Sequence, residues 1–172
     1  MLARVPETSK ACSRLSITHG PAIKIKLFEF RCLSFGIFIT VCKNNFSKVK
    51  SYLIELGHNI SFQDENNQLL VITDERAGIC NLVLGCADPI LIMEQNIFDI
   101  NPNNTKVFKE LLKKNRDIVH GAFVLNESGD KVIFRDTLQL ENLDLNELEG
   151  SINSLGLLLS EYSSELIKFS KK

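Results

Sequence analysis

The stretch that decides the fold is ISFQDENNQLLVITDERAGICNLVLGCADPILIMEQNIFDI, residues 60–100. Short runs rich in Leu, Ile and Val alternate in it with polar turns at 64–67 and 75–78 and with the step Asp88-Pro89. Runs of this length between turn residues are typical of strands, and tight turns between successive strands indicate antiparallel pairing. The strands predicted from this pattern are 60–63, 68–74, 79–86 and 90–100.

Helical spacing is found on both sides of this strand run. Before it, apolar residues recur every three or four positions from Phe46 to Leu56, which predicts a helix capped by Asn45. After it, the polar segment 101–104 introduces a second helix, whose last turn is basic and therefore favourable against the helix dipole. The pattern then predicts a hairpin with strands over 118–125 and 131–140.

The C-terminal segment has the most regular pattern in the chain. A capping box of Asp144 and Glu147 precedes apolar residues spaced by three and four, which predicts a helix of about 25 residues. Such a helix is about 38 Å long and extends beyond strands of about 20 Å. Its surplus apolar residues either bind another protein or pack on the leader or the first helix. The candidate protein-binding residues are Leu157, Leu158, Tyr162 and Ile167.

The order of these elements places the chain in the α+β class. We expect an antiparallel sheet with the helices on one face, in the order α-β-β-β(-β)-α-β-β-α. The strand in parentheses is the run from Ile90 to Ile100, one face of which is apolar only at its start. That pattern indicates partial burial of this strand or a bend in it.

Charge divides the chain into two parts. Residues 1–43 hold seven Lys or Arg against two Glu. The remaining residues hold 13 basic against 19 acidic residues, and the whole chain of 172 residues has a net charge of -1. This balance excludes a globally basic nucleic-acid binder, and the acidic body disfavours nucleic acid and anionic membranes as its partners. We expect residues 1–42 to be a leader and residues 43–172 to be the folded domain.

The leader has three interpretations. It is dispensable, for example because translation starts later, or it is a targeting or membrane element, or it forms an additional helix that packs on the domain. Its uninterrupted apolar stretch runs from Leu33 to Cys42. This stretch is too short for a membrane-spanning helix, which needs about 20 residues.

The residue types that carry most catalytic chemistry form no recognisable motif. Glycine-rich phosphate loops and nucleophile elbows are absent, and no cysteine has a second cysteine or a histidine at metal-ligand spacing. His120 is able to pair with Asp117 or Asp136, but no nucleophile accompanies it, so we expect a structural or partly exposed strand residue. We therefore predict no catalytic residue, no cofactor and no metal.

Two groups of charged residues have both a structural and a functional interpretation. Arg135 and Asp136 are consecutive in a predicted strand, so their side chains point to opposite faces. Either one of them is exposed and the other makes a salt bridge at the edge of the ladder, or they provide a polar spot on a binding face. Four carboxylates cluster where the last helix begins, which suits acid–base or cation chemistry but is already explained by the helix cap and dipole. They are Glu141, Asp144, Glu147 and Glu149.

Two stretches carry a resemblance to known proteins. They are NLVLGCADPILIMEQNIF (81–98) and NRDIVHGAFVLNESGDKVIFRDTLQLENLDLNELEGSINSL (115–155). The chain resembles the type III secretion chaperone-like fold that the CesT/Tir chaperone and YbjN domain families share. More specifically, it is similar to small bacterial proteins named "molecular chaperone Tir". The resemblance covers the chain from residue 46 to 172 and leaves 1–42 unmatched.

This resemblance implies a non-enzymatic, cytoplasmic protein-binding module. Secretion chaperones of the family are acidic homodimers that hold an extended segment of a client protein in hydrophobic grooves, without ATP or catalysis. The resemblance therefore implies a homodimer and a client or partner protein. The alternative function is a regulatory or sensory YbjN-type domain that binds a regulator or a small ligand.

Overall fold

The computed structural model describes residues 36–170, and it describes side chains from residue 45 onward. Residues 1–35 of the predicted leader lie outside the described residues. Within the described range, three helices and six strands follow one another in the predicted order. Their bounds are α1 Gly36–Glu55, β1 Asn59–Asp64, β2 Leu69–Asp74, β3 Ile79–Ala87, β4 Ile90–Asp99, α2 Thr105–Asn115, β5 Ala122–Leu125, β6 Lys131–Gln139 and α3 Leu145–Ser170.

The six strands form one antiparallel sheet in the order β1-β2-β3-β4-β6-β5. Strands β1 to β4 pair in sequence through short connections, and β6 pairs with both β4 and β5. Strand β5 is therefore the edge opposite β1. The predicted α+β class with an antiparallel sheet is confirmed, and the optional strand of the prediction is present as β4.

One face of the sheet, here called the inner face, packs against the helices. Side chains alternate between the two faces along a strand, so every second residue of a strand contributes to this face. Buried apolar residues of α1, such as Val49 and Leu53, and of α3, such as Leu148 and Ile152, form the other half of the core. The buried inner-face residues include Leu70, Ile72, Leu82, Leu84, Leu91, Met93, Phe123, Val132, Phe134 and Leu138.

A β-bulge in β3 changes which side chains reach the inner face. The register between β2 and β3 shifts between Ile72 and Asp74, and Asn81 has a positive φ of 54°. Simple alternation along the sequence places Ile79 on the same face as Val83. Because the bulge adds a residue, Ile79 turns inward and is buried in the core. Alternation along the sequence alone therefore assigns Ile79 to the wrong face.

A second bulge lies in β4, between Asn96 and Phe98. It buries both Ile97 and Phe98, although they are consecutive in the chain. This is the bend that the one-sided apolar pattern of the strand indicated. Nearby, the buried side chain of Gln95 accepts a hydrogen bond from the backbone N–H of Cys80 at 3.1 Å, which satisfies polar groups beside the irregular ladder.

Helix α1 begins earlier than the sequence pattern predicts. It starts at Gly36, so Asn45 lies inside the helix and does not cap it. Instead, the Asn45 amide donates a hydrogen bond to Oδ1 of Asp88 at 3.2 Å, which ties the middle of the helix to the β3–β4 turn. The helix also crosses the predicted boundary between residues 42 and 43. Whether 1–42 form a separate leader stays a prediction.

Helix α2 begins as predicted, but β5 begins later. Oδ1 of Asn104 accepts a hydrogen bond from the N–H of Val107 at 3.3 Å and caps α2. Strand β5 starts at Ala122, so His120 precedes the strand and was wrongly placed within it. The physical reason is Gly121, which has a φ of 74° and leaves no room for a Cβ beside the ring of Phe134.

Helix α3 is the long C-terminal helix that the sequence predicts. The N–H of Glu147 donates to Oδ1 of Asp144 at 2.8 Å, so the predicted cap is confirmed. The N-terminal half of the helix lies on the sheet, where Leu148 is buried. Its C-terminal half contacts α2, where Nζ of Lys114 lies 2.6 Å from Oε2 of Glu165. Helix α2 thus covers part of the length by which α3 exceeds the sheet.

Candidate protein-binding surface

The four residues predicted to bind protein lie on α3, and they differ in accessibility. Leu157 is 69% exposed and Ile167 is 36% exposed, whereas Leu158 is 4% exposed. Leu158 belongs to the buried side of the helix and packs in the core. Positions 157 and 167 differ by about 80° around the helix axis, so α3 does not bring them into one patch. A binding role for the accessible members of the set stays a prediction.

Tyr162 is half-buried and lies between α2 and α3. Nζ of Lys114 lies 4.1 Å from the centroid of the Tyr162 ring, in addition to its ion pair with Glu165. The Lys114 side chain is only 13% exposed, so solvent screens these attractions weakly. The three side chains hold α2 against α3, and this contact occupies one face of the Tyr162 ring.

A larger surface is the sheet face opposite the helices, here called the outer face. Its central row crosses all six strands, because each residue in it is paired with the next across the ladder. Phe62, at the β1 end, is 55% exposed, whereas Val83 near the middle is almost covered by its neighbours. The row consists of Phe62, Val71, Val83, Glu94, Arg135 and Ala122.

The neighbouring row of the outer face is apolar in its centre. Leu69 and Ile92 flank Gly85, which has no side chain, and a Cβ at Gly85 would lie 3.2 Å from Leu69. Ile90 extends this surface toward the β3–β4 turn and is exposed. The outer face over β1 to β4 is therefore a shallow apolar surface, with no helix among residues 45–170 packed on it.

An ion pair divides this apolar surface from β5 and β6. The guanidinium of Arg135 binds the carboxylate of Glu94 across the strands. Asp136, the next residue, points the other way and accepts a hydrogen bond from the hydroxyl of Ser151 on α3. The prediction that Arg135 and Asp136 face opposite sides is confirmed. Of the two, Arg135 lies on the candidate binding face.

Strand β1 is an edge of this sheet. It pairs with β2 on one side, and no strand in residues 45–170 pairs with its other side. Such an edge presents backbone N–H and C=O groups to which an extended polypeptide is able to bond. Because Phe62 lies on the same strand and is exposed, the edge and the outer face form one continuous surface.

The described titratable groups form no catalytic constellation. Between residues 45 and 170, no three His, Cys, Asp or Glu side chains are placed to hold a metal ion. The Asp136 carboxylate binds Ser151 and the Asp144 carboxylate caps α3, so structural contacts use both. In the same range, no helix combines the length and hydropathy that crossing a bilayer requires.

The groups with shifted pKa values lie in or beside strand connections: Asp64 at the end of β1, Asp130 in the β5–β6 turn and Lys131 at the start of β6. The side chain and backbone N–H of Asn67 donate to Asp64 and lower the pKa of that carboxyl group. Hydrogen bonds from Ser128 and then Asn126 lower the pKa of Asp130 in the β5–β6 turn. These contacts stabilise strand connections and suggest no proton-transfer role.

The sequence interpretation missed the outer face, although a signal for it was present. Leu69, Leu70, Val71 and Ile72 are four apolar residues in a row. A strand that contacts water on one side alternates between apolar and polar residues, whereas a continuous apolar run indicates apolar surface on both sides. The run in β2 therefore predicted an apolar surface on the sheet face that the helices do not cover.

Comparison with solved structures supports the fold. YbjN of E. coli has a TM-score of 0.53 at 12% identity, over 70% of this chain and 92% of that chain. A chain of the HopA1–SchA chaperone–effector complex has a TM-score of 0.51 at 12% identity, over 75% and 97% of the two chains. An uncharacterized protein from Methanothermobacter thermautotrophicus has a TM-score of 0.50 at 14% identity, over 73% and 99%. At these identities the likeness shows the fold alone.

Comparison of sequences gives the family. Among curated proteins, none matches this sequence significantly. The family model CesT_Tir_1 matches residues 42–172, from within α1 to the last residue. The match covers every strand of the sheet and both later helices, and the solved structures with the same fold include a chain of a chaperone–effector complex. The chain therefore belongs to the CesT_Tir_1 family of chaperones.

Proposed function

We propose that this chain is a non-enzymatic, chaperone-like module that holds an extended segment of a partner protein, and that it does so as a cytoplasmic homodimer. Membership of a chaperone family supports the protein-binding role. The observation that carries the proposal is the outer face, where an apolar surface over β1 to β4 is continuous with the edge of β1. The partner segment binds there by apolar contacts and by backbone hydrogen bonds.

The size of this surface suits an extended chain. Adjacent strands are about 4.8 Å apart, so the four strands from β1 to β4 present a surface about 15 Å wide. That width accommodates a single extended segment with side chains on either side of its backbone. Exposed apolar surface of this kind is costly in water unless a partner covers it, and its burial provides the binding energy.

The test compares two surfaces of the full chain for their ability to hold an unfolded protein. The probe is lysozyme with its disulfides reduced, diluted from denaturant, and light scattering reports its aggregation. The unchanged chain suppresses this aggregation. The double variant Phe62→Ser and Ile90→Ser removes two exposed side chains of the outer face, and we expect it to require about tenfold more protein for the same effect.

Two further variants make this test specific. Ile54→Ser changes an exposed residue of α1, which belongs neither to the outer face nor to α3. It serves as the matched control, with no expected effect on holding. The pair Leu157→Ser and Ile167→Ser changes the accessible predicted residues of α3. Loss with the α3 pair alone moves the binding site to α3. Failure of the unchanged chain to suppress aggregation contradicts the holding function.

The homodimer needs its own measurement. Multi-angle light scattering of the full chain should give twice the mass of one 19.4-kDa chain, with no change on dilution across the micromolar range. A mass of one chain at high concentration contradicts the dimer, and it leaves the holding function to be judged by the aggregation test.

A regulatory or sensory role is the second candidate function. The fold likeness to YbjN is the observation that favours it. A regulatory domain binds one partner or ligand stoichiometrically, whereas a chaperone-like module holds unfolded segments of unrelated sequence. Tight binding of one folded partner together with no effect on reduced lysozyme therefore favours the regulatory role.

A further inference from the structure

Helix α2 has a charge opposite to that of the rest of the domain. Residues 105–116 hold five Lys or Arg against one Glu, whereas the other residues between 45 and 170 hold six basic against 18 acidic residues. The positive charge is therefore concentrated on one element of an acidic protein. Such a local reversal of charge creates a positive potential where the surrounding surface is negative.

The basic side chains of α2 lie on one exposed face. Residues 106, 109, 113 and 116 fall within about 80° of one another around the helix axis. The opposite face of the helix packs on the domain through the buried side chains of Val107 and Leu111. Here the exposed side is called the basic face of α2, and it consists of Lys106, Lys109, Leu112, Lys113 and Arg116.

Most charges of the basic face have no partner among the described residues. Lys113 forms an ion pair with Glu110 at 3.0 Å, on the surface of the helix. Lys106, Lys109 and Arg116 form no ion pair within residues 45–170. Lys114 is different, because it points away from this face and binds Glu165 and Tyr162. Three unneutralised cations thus lie along one line.

Helix stability does not explain this arrangement. Basic residues are favourable in the last turn of a helix, which accounts for Lys113 and Arg116. Lys106 lies in the first turn, where the helix dipole disfavours a cation and where α2 has no acidic residue. The positive charge therefore continues along the full face, against the preference of the helix at its start.

An apolar residue lies within the basic face. Leu112 is 69% exposed, and Val119, just after the helix, is 86% exposed. A face that binds a polypeptide uses cations to attract its acidic side chains and an apolar side chain to fix its position.

We propose that the basic face of α2 is a docking site for an acidic segment of a partner protein, one that is rich in Asp and Glu and carries a large apolar residue opposite Leu112. The face is about 15 Å long, which matches about five residues of extended chain. The proposal rests on the proposed function because both take a protein as the bound partner. The acidic segment, however, binds the basic face of α2 and not the outer face.

Two other occupants fit the charges less well. A nucleic-acid duplex or an anionic membrane extends over the acidic remainder of the domain, which repels it within a screening length of about 8 to 10 Å. A second copy bound through the same face places the same cations opposite one another. A short acidic segment avoids both penalties, because it covers α2 and little else.

The test measures binding of a defined acidic probe to the full chain. The probe is a fluorescein-labelled peptide of about 12 residues with the repeat Glu-Glu-Leu, and fluorescence anisotropy reports its binding. The unchanged chain binds it, and binding weakens as salt rises through about 0.15 M. The triple variant Lys106→Glu, Lys109→Glu and Arg116→Glu weakens binding about tenfold or more. The corresponding Gln variant gives an intermediate loss.

The matched control changes the net charge equally at other places. It is the triple variant Lys48→Glu, Lys50→Glu and Arg76→Glu, whose residues lie on α1 and in the β2–β3 turn. It should retain binding within about threefold, since exposed charges beyond a screening length contribute little. Equal loss in both triple variants, or no binding by the unchanged chain, overturns the proposal.

Further arms separate the other occupants and the proposed function. Tighter binding to a DNA duplex or to vesicles that contain phosphatidylserine overturns the choice of a peptide. Self-association of the chain that the α2 triple variant abolishes also overturns the choice of a peptide.

A last variant separates the two surfaces. The Phe62→Ser and Ile90→Ser variant should bind the acidic probe normally. Loss of binding in that variant makes the two surfaces one site and contradicts a separate α2 site. Failure of lysozyme holding with intact probe binding contradicts the proposed function alone.

Discussion

The two faces of the sheet are built from the same strands but differ in whether helices cover their side chains. In β6, Val132 and Phe134 are fully buried under the helices, whereas the alternating residues Ile133 and Arg135 lie on the outer face and are partly accessible. The inner face is therefore fixed by packing against α1 and α3. The outer face is apolar without such packing, so its side chains contribute less to folding and are available for contacts.

The largest difference should appear between neighbours in β6. Replacing Phe134 by Ala removes a ring that is 0% exposed, and we expect a loss of about 3 to 5 kcal/mol in the free energy of unfolding. Replacing Ile133 by Ala removes a partly exposed side chain and should cost about 1 kcal/mol. Urea unfolding followed by circular dichroism measures both. Similar costs for the two variants mean that the outer face is packed like the core.

A hydrogen bond between α3 and β6, on the inner face, gives a second test of the comparison. Ser151 is 0% exposed, and its hydroxyl donates to the carboxylate of Asp136. We expect Ser151→Ala to cost about 1 to 3 kcal/mol, because it deprives a partly buried carboxylate of a hydrogen bond. The control is Ser160→Ala on the exposed side of the same helix, which should change the free energy of unfolding very little. Equal stabilities of the two variants contradict a structural role for this bond.

The ion pair on the outer face should contribute little to stability. The side chain of Arg135 is 43% exposed and that of Glu94 is 19% exposed, so solvent screens their attraction. A double-mutant cycle with Arg135→Ala and Glu94→Ala should give a coupling energy of about 0.2 to 1 kcal/mol. A coupling well above this range identifies the pair as a structural element, and the outer face is then less available for partners.

The smallest effect should come from Asp64, the last residue of β1, beside the β1–β2 turn. Hydrogen bonds from Asn67 lower the pKa of Asp64 below its usual 3.8, so folding favours the charged carboxylate. The resulting stability is present above the unfolded pKa and is lost as pH falls through the lower folded pKa. Asn67→Ala should raise the pKa of Asp64 toward 3.8. An NMR titration of the carboxyl carbon measures it, and an unchanged pKa contradicts the assigned cause.

Much of the fold was predictable because local signals were strong. The turn residues between β1, β2 and β3, the polar segment 101–104 before α2 and the Asp144 cap of α3 each have a short-range cause, and each lies where the sequence indicated. Errors occurred where distant residues decide the outcome. Asn45 looked like a helix cap in isolation, but its amide binds Asp88, which is 43 residues away in the chain.

The candidate site was less predictable than the fold. Leu158 looked like surplus apolar surface on α3, but it is buried and packs in the core. The outer face joins side chains from all six strands, and its rows depend on registers that shift at three places, in the β1–β2, β2–β3 and β4–β6 ladders. A bulge reverses the faces of all residues beyond it, so simple alternation cannot assign the binding face of such a strand.

The sequence by itself determined the order of helices and strands, the antiparallel pairing and the separation of charge, because turns, caps and composition act over a few residues. Only the tertiary structure decided which sheet face the helices leave uncovered and which side of α2 is exposed. These depend on how elements distant in the chain bury one another. Burial is a property of the packed assembly, and no short stretch of sequence contains it.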